Sequence, residues 1–138
     1  MKSCILDSGF LYALIDDSDH YSQNVRRAVD SVLESILLPS PAITETAYFV
    51  QRNLGQAELA KFVGSLNMMG MSVIDPLELD LTRAAEILQG YLDQDIDFVD
   101  ALIVAMAERL DVTKILTIDR RHFSIFRPRH CEFFEILP

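Results

Sequence analysis

Five short apolar runs constrain this chain more than any other feature: Ser3–Asp7, Ile36–Leu38, Met71–Asp75, Lys114–Asp119 and Phe133–Leu137. Each is too brief for a helix and nearly continuous in its apolar character, as expected of strands buried on both faces. Longer stretches with apolar residues at helical spacing separate them, over about 22–35, 41–53, 56–68, 79–92 and 98–111. Phe10–Ile15 begins another helix after a Ser8-Gly9 turn, and a short helix precedes the last strand. Pro41 suits the first turn of its helix and Gly55 the position that ends it. Strands alternating with helices in this way predict an α/β fold of three layers, α/β/α, around a mostly parallel sheet of about five strands, Rossmann-like in plan. Length and the absence of any repeat or linker predict a single domain over 1–138.

The helix from Asp97 onward carries the strongest apolar stripe. Val99, Leu102, Ile103, Met106 and Leu110 recur at steps of three and four, and alanines fill much of the remainder, letting neighbouring backbone come close. Its start carries Asp97 and Asp100, neighbours on one helix surface, with Asp93 and Asp95 just upstream. A helix N-terminus favours carboxylates through its dipole and free N–H groups, which accounts for one acid. A second acid beside so apolar a stripe calls for a partner, and a hard cation is one candidate.

The sheet argument gathers further acids. In an open parallel sheet ligands sit at the carboxyl ends of the strands. Asp7 and Asp119 close two strands there, Glu45 lies near the start of the helix after the second strand, and the helix led by Asp97 and Asp100 begins at the same edge. Each also has a plainer reading: Asp7 as a turn residue, Glu45 as a helix-start acid, Asp119 as the cap of the Arg120–Phe123 turn, Asp97 as a helix N-cap. Four separate segments delivering acids to one rim would repel one another unless protons or metal ions intervene. Oxygen ligands suit Mg²⁺ or Mn²⁺, and no Cys/His set suggests zinc. Ser8 is placed to donate to Asp7 or to a water, or simply to begin its helix. His20, His122 and His130 show no ligand spacing, and Gly9 stands without a phosphate-binding glycine loop around it.

A net charge of −9 argues against broad nucleic-acid binding. The bases nevertheless cluster, with Arg120, Arg121, Arg127 and Arg129 near the end of the chain and Arg26 and Arg27 as a smaller pair. No apolar run approaches the ~20 residues of a membrane span, and Asp7 comes too early for a signal peptide. A cytoplasmic protein with Cys4 and Cys131 as reduced thiols is the expectation, and no membrane partner.

Leu6-Asp7-Ser8, Ile43-Thr44-Glu45, Asp97-x-x-Asp100-Ala101-Leu102-Ile103 and Leu116-Thr117-Ile118-Asp119-Arg120-Arg121-His122-Phe123, in this order, resemble the PIN domain and within it the VapC-type toxin ribonucleases. The resemblance covers essentially the whole chain. It implies a PIN-like fold and a metal-dependent endoribonuclease in which Asp7, Glu45, Asp100 and Asp119 do the catalytic work. Asp7, Asp100 and Asp119 would hold Mg²⁺ or Mn²⁺, and Thr117 corresponds to the family's hydroxyl near the last acid. It also implies an RNA substrate, a cognate antitoxin protein and a homodimer, for which 42–54 and 56–71 are the expected contact surface. Ile118 departs from the pattern, since many members have Asn there. Arg120 and Arg121 are candidates to grip flanking phosphates or to remain solvated. Two other classes compete: a non-catalytic PIN-like binding domain, and another metal-dependent phosphoester hydrolase. An aspartyl-phosphate phosphatase would want a second Asp two residues after Asp7, where Gly9 stands.

Overall fold

The computed structural model describes residues 2–138. Its elements run β1 (Ser3–Leu6), α1 (Ser8–Ile15), α2 (Ser22–Ser31), β2 (Ser35–Pro39), α3 (Ser40–Leu54), α4 (Gln56–Ser65), β3 (Ser72–Ile74), α5 (Glu78–Gly90), α6 (Phe98–Leu110), β4 (Lys114–Leu116), α7 (Arg120–Ile125) and β5 (Glu135–Leu137). The strands form one sheet in the order β3-β2-β1-β4-β5, every pairing parallel. The expected α/β/α arrangement with a five-stranded parallel sheet is therefore the one found.

Strand side chains alternate between two cores. Ile5 and Ile115 point to the layer built from α5, α6 and the phenylalanines 123, 126 and 134. Cys4, Leu6, Leu38 and Leu116 point to the layer holding Phe10, Val25, Val50 and Phe62 of α1–α4. Both cysteines are free thiols, and Cys4 is buried. Residues 100–107 of α6 are buried on every side, which goes beyond the single apolar stripe read from the sequence. The alanines explain this: Ala101, Ala105 and Ala107 let sheet and α5 both approach the helix closely.

The two helices α5 and α6 are also tied by charge. Asp80, its side chain 1% exposed, receives Arg109 Nε at 3.0 Å and accepts from the Leu77 amide at 2.8 Å, closing the first turn of α5. Arg109→Met should cost about 3–5 kcal/mol in urea unfolding, because it strands a buried charge. A loss below about 1 kcal/mol would mean that water reaches Asp80.

Several boundaries differ from the sequence reading for local reasons. The helix expected over 22–35 stops at Ser31, whose hydroxyl donates to Ala28 O at 2.8 Å. Leu33 is 92% exposed, so the apolar repeat that suggested continuation has lost its buried face. The Ser8-Gly9 turn is already helix, because Asp7 caps α1 directly. The strand expected to run to Asp119 ends at Leu116, where Thr117 Oγ1 accepts from the Asp119 amide at 2.9 Å and turns the chain. Among the described residues no helix is long and apolar enough to cross a membrane.

Candidate active site

Chain order places the site before any side chain is considered. From β1 the chain builds outward through β2 and β3 on one side, and later returns to add β4 and β5 on the other. Beyond the carboxyl ends of β1 and β4 there is therefore a crevice, the usual ligand position in such sheets. Leu6 and Leu116 are level across that pairing, so Asp7 and Thr117 emerge side by side.

A small set of hydrogen bonds fixes the rim. Asp7 accepts from the Phe10 amide at 2.9 Å with Oδ1 and from the Thr117 hydroxyl with Oδ2. The Thr117 oxygen in turn accepts from the Asp119 amide at 2.9 Å, so one hydroxyl joins the acids after β1 and β4. Ser8 donates its hydroxyl to Glu45, linking α1 to α3, while Thr46 donates to Ser8 O at 3.2 Å. Asp97 caps α6 by accepting from the Asp100 amide at 2.8 Å. Asp119 caps α7, accepting from the His122 amide at 3.1 Å, and its Oδ2 lies 2.8 Å from His122 Nδ1.

Asp100 has no such support. It is 8% exposed, and among the described residues no group donates to its carboxylate. Burial pushes its pKa up to about 8, and the negative charges of Asp97, Asp7, Asp119 and Glu45 act in the same direction. Burial also raises Asp7, to about 6; the hydrogen bonds from Thr117 and Phe10 oppose the rise, and Asp119 and Glu45 add to it. The rim thus gathers four acids, none of them paired with a Lys or Arg among the described residues. Ligand atoms of Asp100, Asp119 and His122 lie within 4.8 Å of one another. Anionic oxygens around a buried carboxylate with no donor fit a hard divalent cation.

Residues 4–127 match the PIN domain family model. The chain belongs to the PIN domain family. It is 31% identical over 135 residues to Ribonuclease VapC26 of Mycobacterium tuberculosis H37Rv, a match covering 97% of this chain and 99% of that protein. Its fold is similar to that of M. tuberculosis VapC20, a sarcin-ricin loop cleaving toxin, with a TM-score of 0.75 at 18% identity over 81% of this chain and 86% of that one. DNA-bound VapBC from Salmonella typhimurium gives a TM-score of 0.70 at 16% identity over 99% and 97% of the two chains.

This PIN domain brings Asp7, Glu45, Asp100 and Asp119 to one rim, as the strand-end argument expects. Asp97 is exposed and serves as a helix cap, the plainer of its two readings. Ser8 does not pair with Asp7, one of the partners expected for it, because its one hydroxyl proton is donated to Glu45. Arg120 turns away toward Ile136 O and Pro138 O, while the exposed Arg121 guanidinium has no ion-pair partner among the described residues. Ile118 lies against Gly9, whose added Cβ would meet it at 3.4 Å, so position 118 is used for packing. His122, without ligand spacing to the other histidines in the sequence, stands beside Asp119 in the fold. The signal was present, since residues three apart at a helix start are neighbours and Asp119 is three before it. Thr46 gave no signal of this kind.

Thr117→Val should test the hydroxyl link. Loss of its proton leaves Asp7 with one donor fewer, and loss of its oxygen releases the Asp119 amide. Stability should fall by about 1–2 kcal/mol in urea unfolding. Thr117→Ser should restore most of it, and equal losses in both variants would show that the methyl group matters instead.

Proposed function

We propose that this PIN domain is a metal-dependent endoribonuclease of the VapC toxin type. The observation that carries the reading is the buried Asp100 carboxylate, without a donor and facing Asp7, Asp119 and Glu45. The relatives support the class: one is named a ribonuclease and another a toxin that cleaves the sarcin-ricin loop.

In this reading Asp7, Asp100 and Asp119 would hold Mg²⁺ or Mn²⁺; ligand atoms of Asp100 and Asp119 already lie within 4.8 Å of each other and of His122. Lewis acidity, neutralised phosphate charge and a lowered water pKa are what a divalent ion supplies in such a site. The chain's own groups do the rest. Thr117 keeps Asp7 and Asp119 at a constant separation through one shared hydroxyl. Glu45, half-buried and fixed by Ser8, would take a proton from the attacking water. Arg121 offers a free guanidinium to a phosphate next to the scissile one. The reading takes 1–138 as one domain acting in the cytoplasm.

Partners follow from the same reading. VapBC from Salmonella typhimurium is a structural neighbour, which supports a cognate antitoxin here. Tyr48 on α3, Val63 on α4 and Met68 just beyond are 60%, 53% and 84% exposed. They lie in the stretch assigned to a second copy of the chain.

The test is incubation of total RNA with purified, antitoxin-free protein in Mg²⁺ or Mn²⁺, beside EDTA. Discrete cuts that require metal support the reading. Intact RNA with both metals, from folded protein, would overturn it in favour of a phosphomonoesterase or a binding domain.

A further inference from the structure

We propose that RNA leaves the acid cluster along a groove over α2, its phosphates held by Arg121 and Arg27; the proposal rests on the ribonuclease reading above. Charge segregation is the first observation. The chain carries 12 Lys and Arg against 21 acids. Six of those bases, Arg26, Lys61, Arg83, Arg109, Lys114 and Arg129, are held in ion pairs with carboxylates. They add little field to attract a polyanion.

Six bases are in no ion pair among the described residues: Arg52 lies over Tyr48 and Phe49, Lys2 and Arg127 lie elsewhere, and the other three fall together. Arg120, Arg121 and Arg27 line two adjoining clefts, of about 440 Å³ and about 330 Å³, that share Asn24 and Pro138. The first cleft opens on Thr117 and Asp119, so the groove begins at the acid rim and runs outward across α2. Arg120 is anchored by Ile136 O and Pro138 O, which makes it a wall of the groove. Arg121 and Arg27 are exposed, and among the described residues neither guanidinium has a side-chain partner. Free guanidinium donors spaced along a trough are what a phosphate backbone requires. Tyr21, 39% exposed on the same wall, adds an aromatic surface, and Asn24 adds an amide able to donate or accept. A single strand suits this arrangement, because its bases are free to stack while its backbone follows the cations.

Binding of a fluorescein-labelled single-stranded RNA of mixed sequence would be measured by anisotropy, across a salt series with Mg²⁺ present, using the Asp100→Asn protein. That background separates binding from cutting. Arg27→Gln and Arg121→Gln should each raise Kd about threefold to tenfold and lower the slope of log K against log salt by ~0.7, the loss of one phosphate contact on a single strand. Arg27→Lys should retain the slope. Arg129→Gln removes the same charge from an ion pair with Glu86 and should change neither quantity. Arg27→Gln and Arg121→Gln indistinguishable from Arg129→Gln, or no RNA binding at low salt, would overturn the groove. Metal-dependent cutting of total RNA by the otherwise native chain would then still uphold the ribonuclease reading. Absence of that cutting, with the slopes changed as expected, would instead remove the ribonuclease and leave an RNA-binding groove.

Discussion

Asp100→Asn should lower RNA cleavage about a thousandfold or more and, in metal-free protein at alkaline pH, raise the melting temperature. The two effects have one cause. Asp100 is buried, lacks a donor and lies among the charges of Asp97, Asp7, Asp119 and Glu45, so its ionised form is costly until a cation arrives. A thousandfold loss is about 4 kcal/mol of transition-state stabilisation, reasonable for one anionic ligand in a metal site. The amide keeps the shape and removes the charge. Relief of like-charge repulsion should then raise Tm by about 5–10 °C above the pKa of the carboxyl, less whatever the unpaired amide costs. A variant that is inactive yet less stable at alkaline pH would mean that Asp100 has a compensating partner and serves the fold.

The second large effect is a dependence of stability on pH that metal reverses. The folded-state values for Asp7 and Asp100, about 6 and about 8, both lie above the unfolded value of 3.8. The native state therefore holds these protons more tightly than the unfolded chain. Their contribution is complete below about pH 3.8 and is lost as pH rises through about 6 and then about 8. For Asp100 the full effect is on the order of 5 kcal/mol. Glu34, held below its ordinary range by the Lys114 ammonium, works the opposite way and loses its contribution only in acid. Metal-free protein should accordingly melt at falling temperature from about pH 5 to about pH 9. Saturating Mn²⁺ should flatten the curve, since proton and metal compete for the same oxygens. At a hundred times Kd the ion adds about 2.7 kcal/mol, a gain that should vanish near pH 5. Differential scanning fluorimetry at several pH values, with Mn²⁺ and with EDTA, measures both curves. Parallel curves would show that metal does not bind where these protons do.

How much of this could be read from the residues differs between elements. The parallel sheet was legible because Ile36–Leu38 is a continuous apolar run and Ile115–Ile118 is broken only by Thr117, a pattern that two-sided burial explains. The acids were legible because strand polarity carries Asp7 and Asp119 to one edge wherever the strands stop. The stopping points themselves were not. Thr117 ends β4 through its own hydroxyl, and no apolar pattern marks that bond. Leu33 continues the helical repeat of α2 in sequence yet points to solvent, since what it would pack against is decided elsewhere in the fold. Ser8 paired with Glu45, 37 residues away, depends on how α1 lies across α3. The tie between Asp80 and Arg109 likewise depends on the α5–α6 crossing, and neither residue stands out along the chain. His122 was within reach, three residues after an acid that caps its helix.

Calorimetric titration of the protein with Mn²⁺ at pH 7, repeated in buffers of different ionisation enthalpy, tests the central claim most directly. At that pH Asp100 is still largely protonated and Asp7 largely ionised. Binding should release about one proton, and Asp100→Asn should both weaken binding and abolish the release. Binding without proton release, or the same affinity in Asp100→Asn, would contradict a metal site built on this carboxylate.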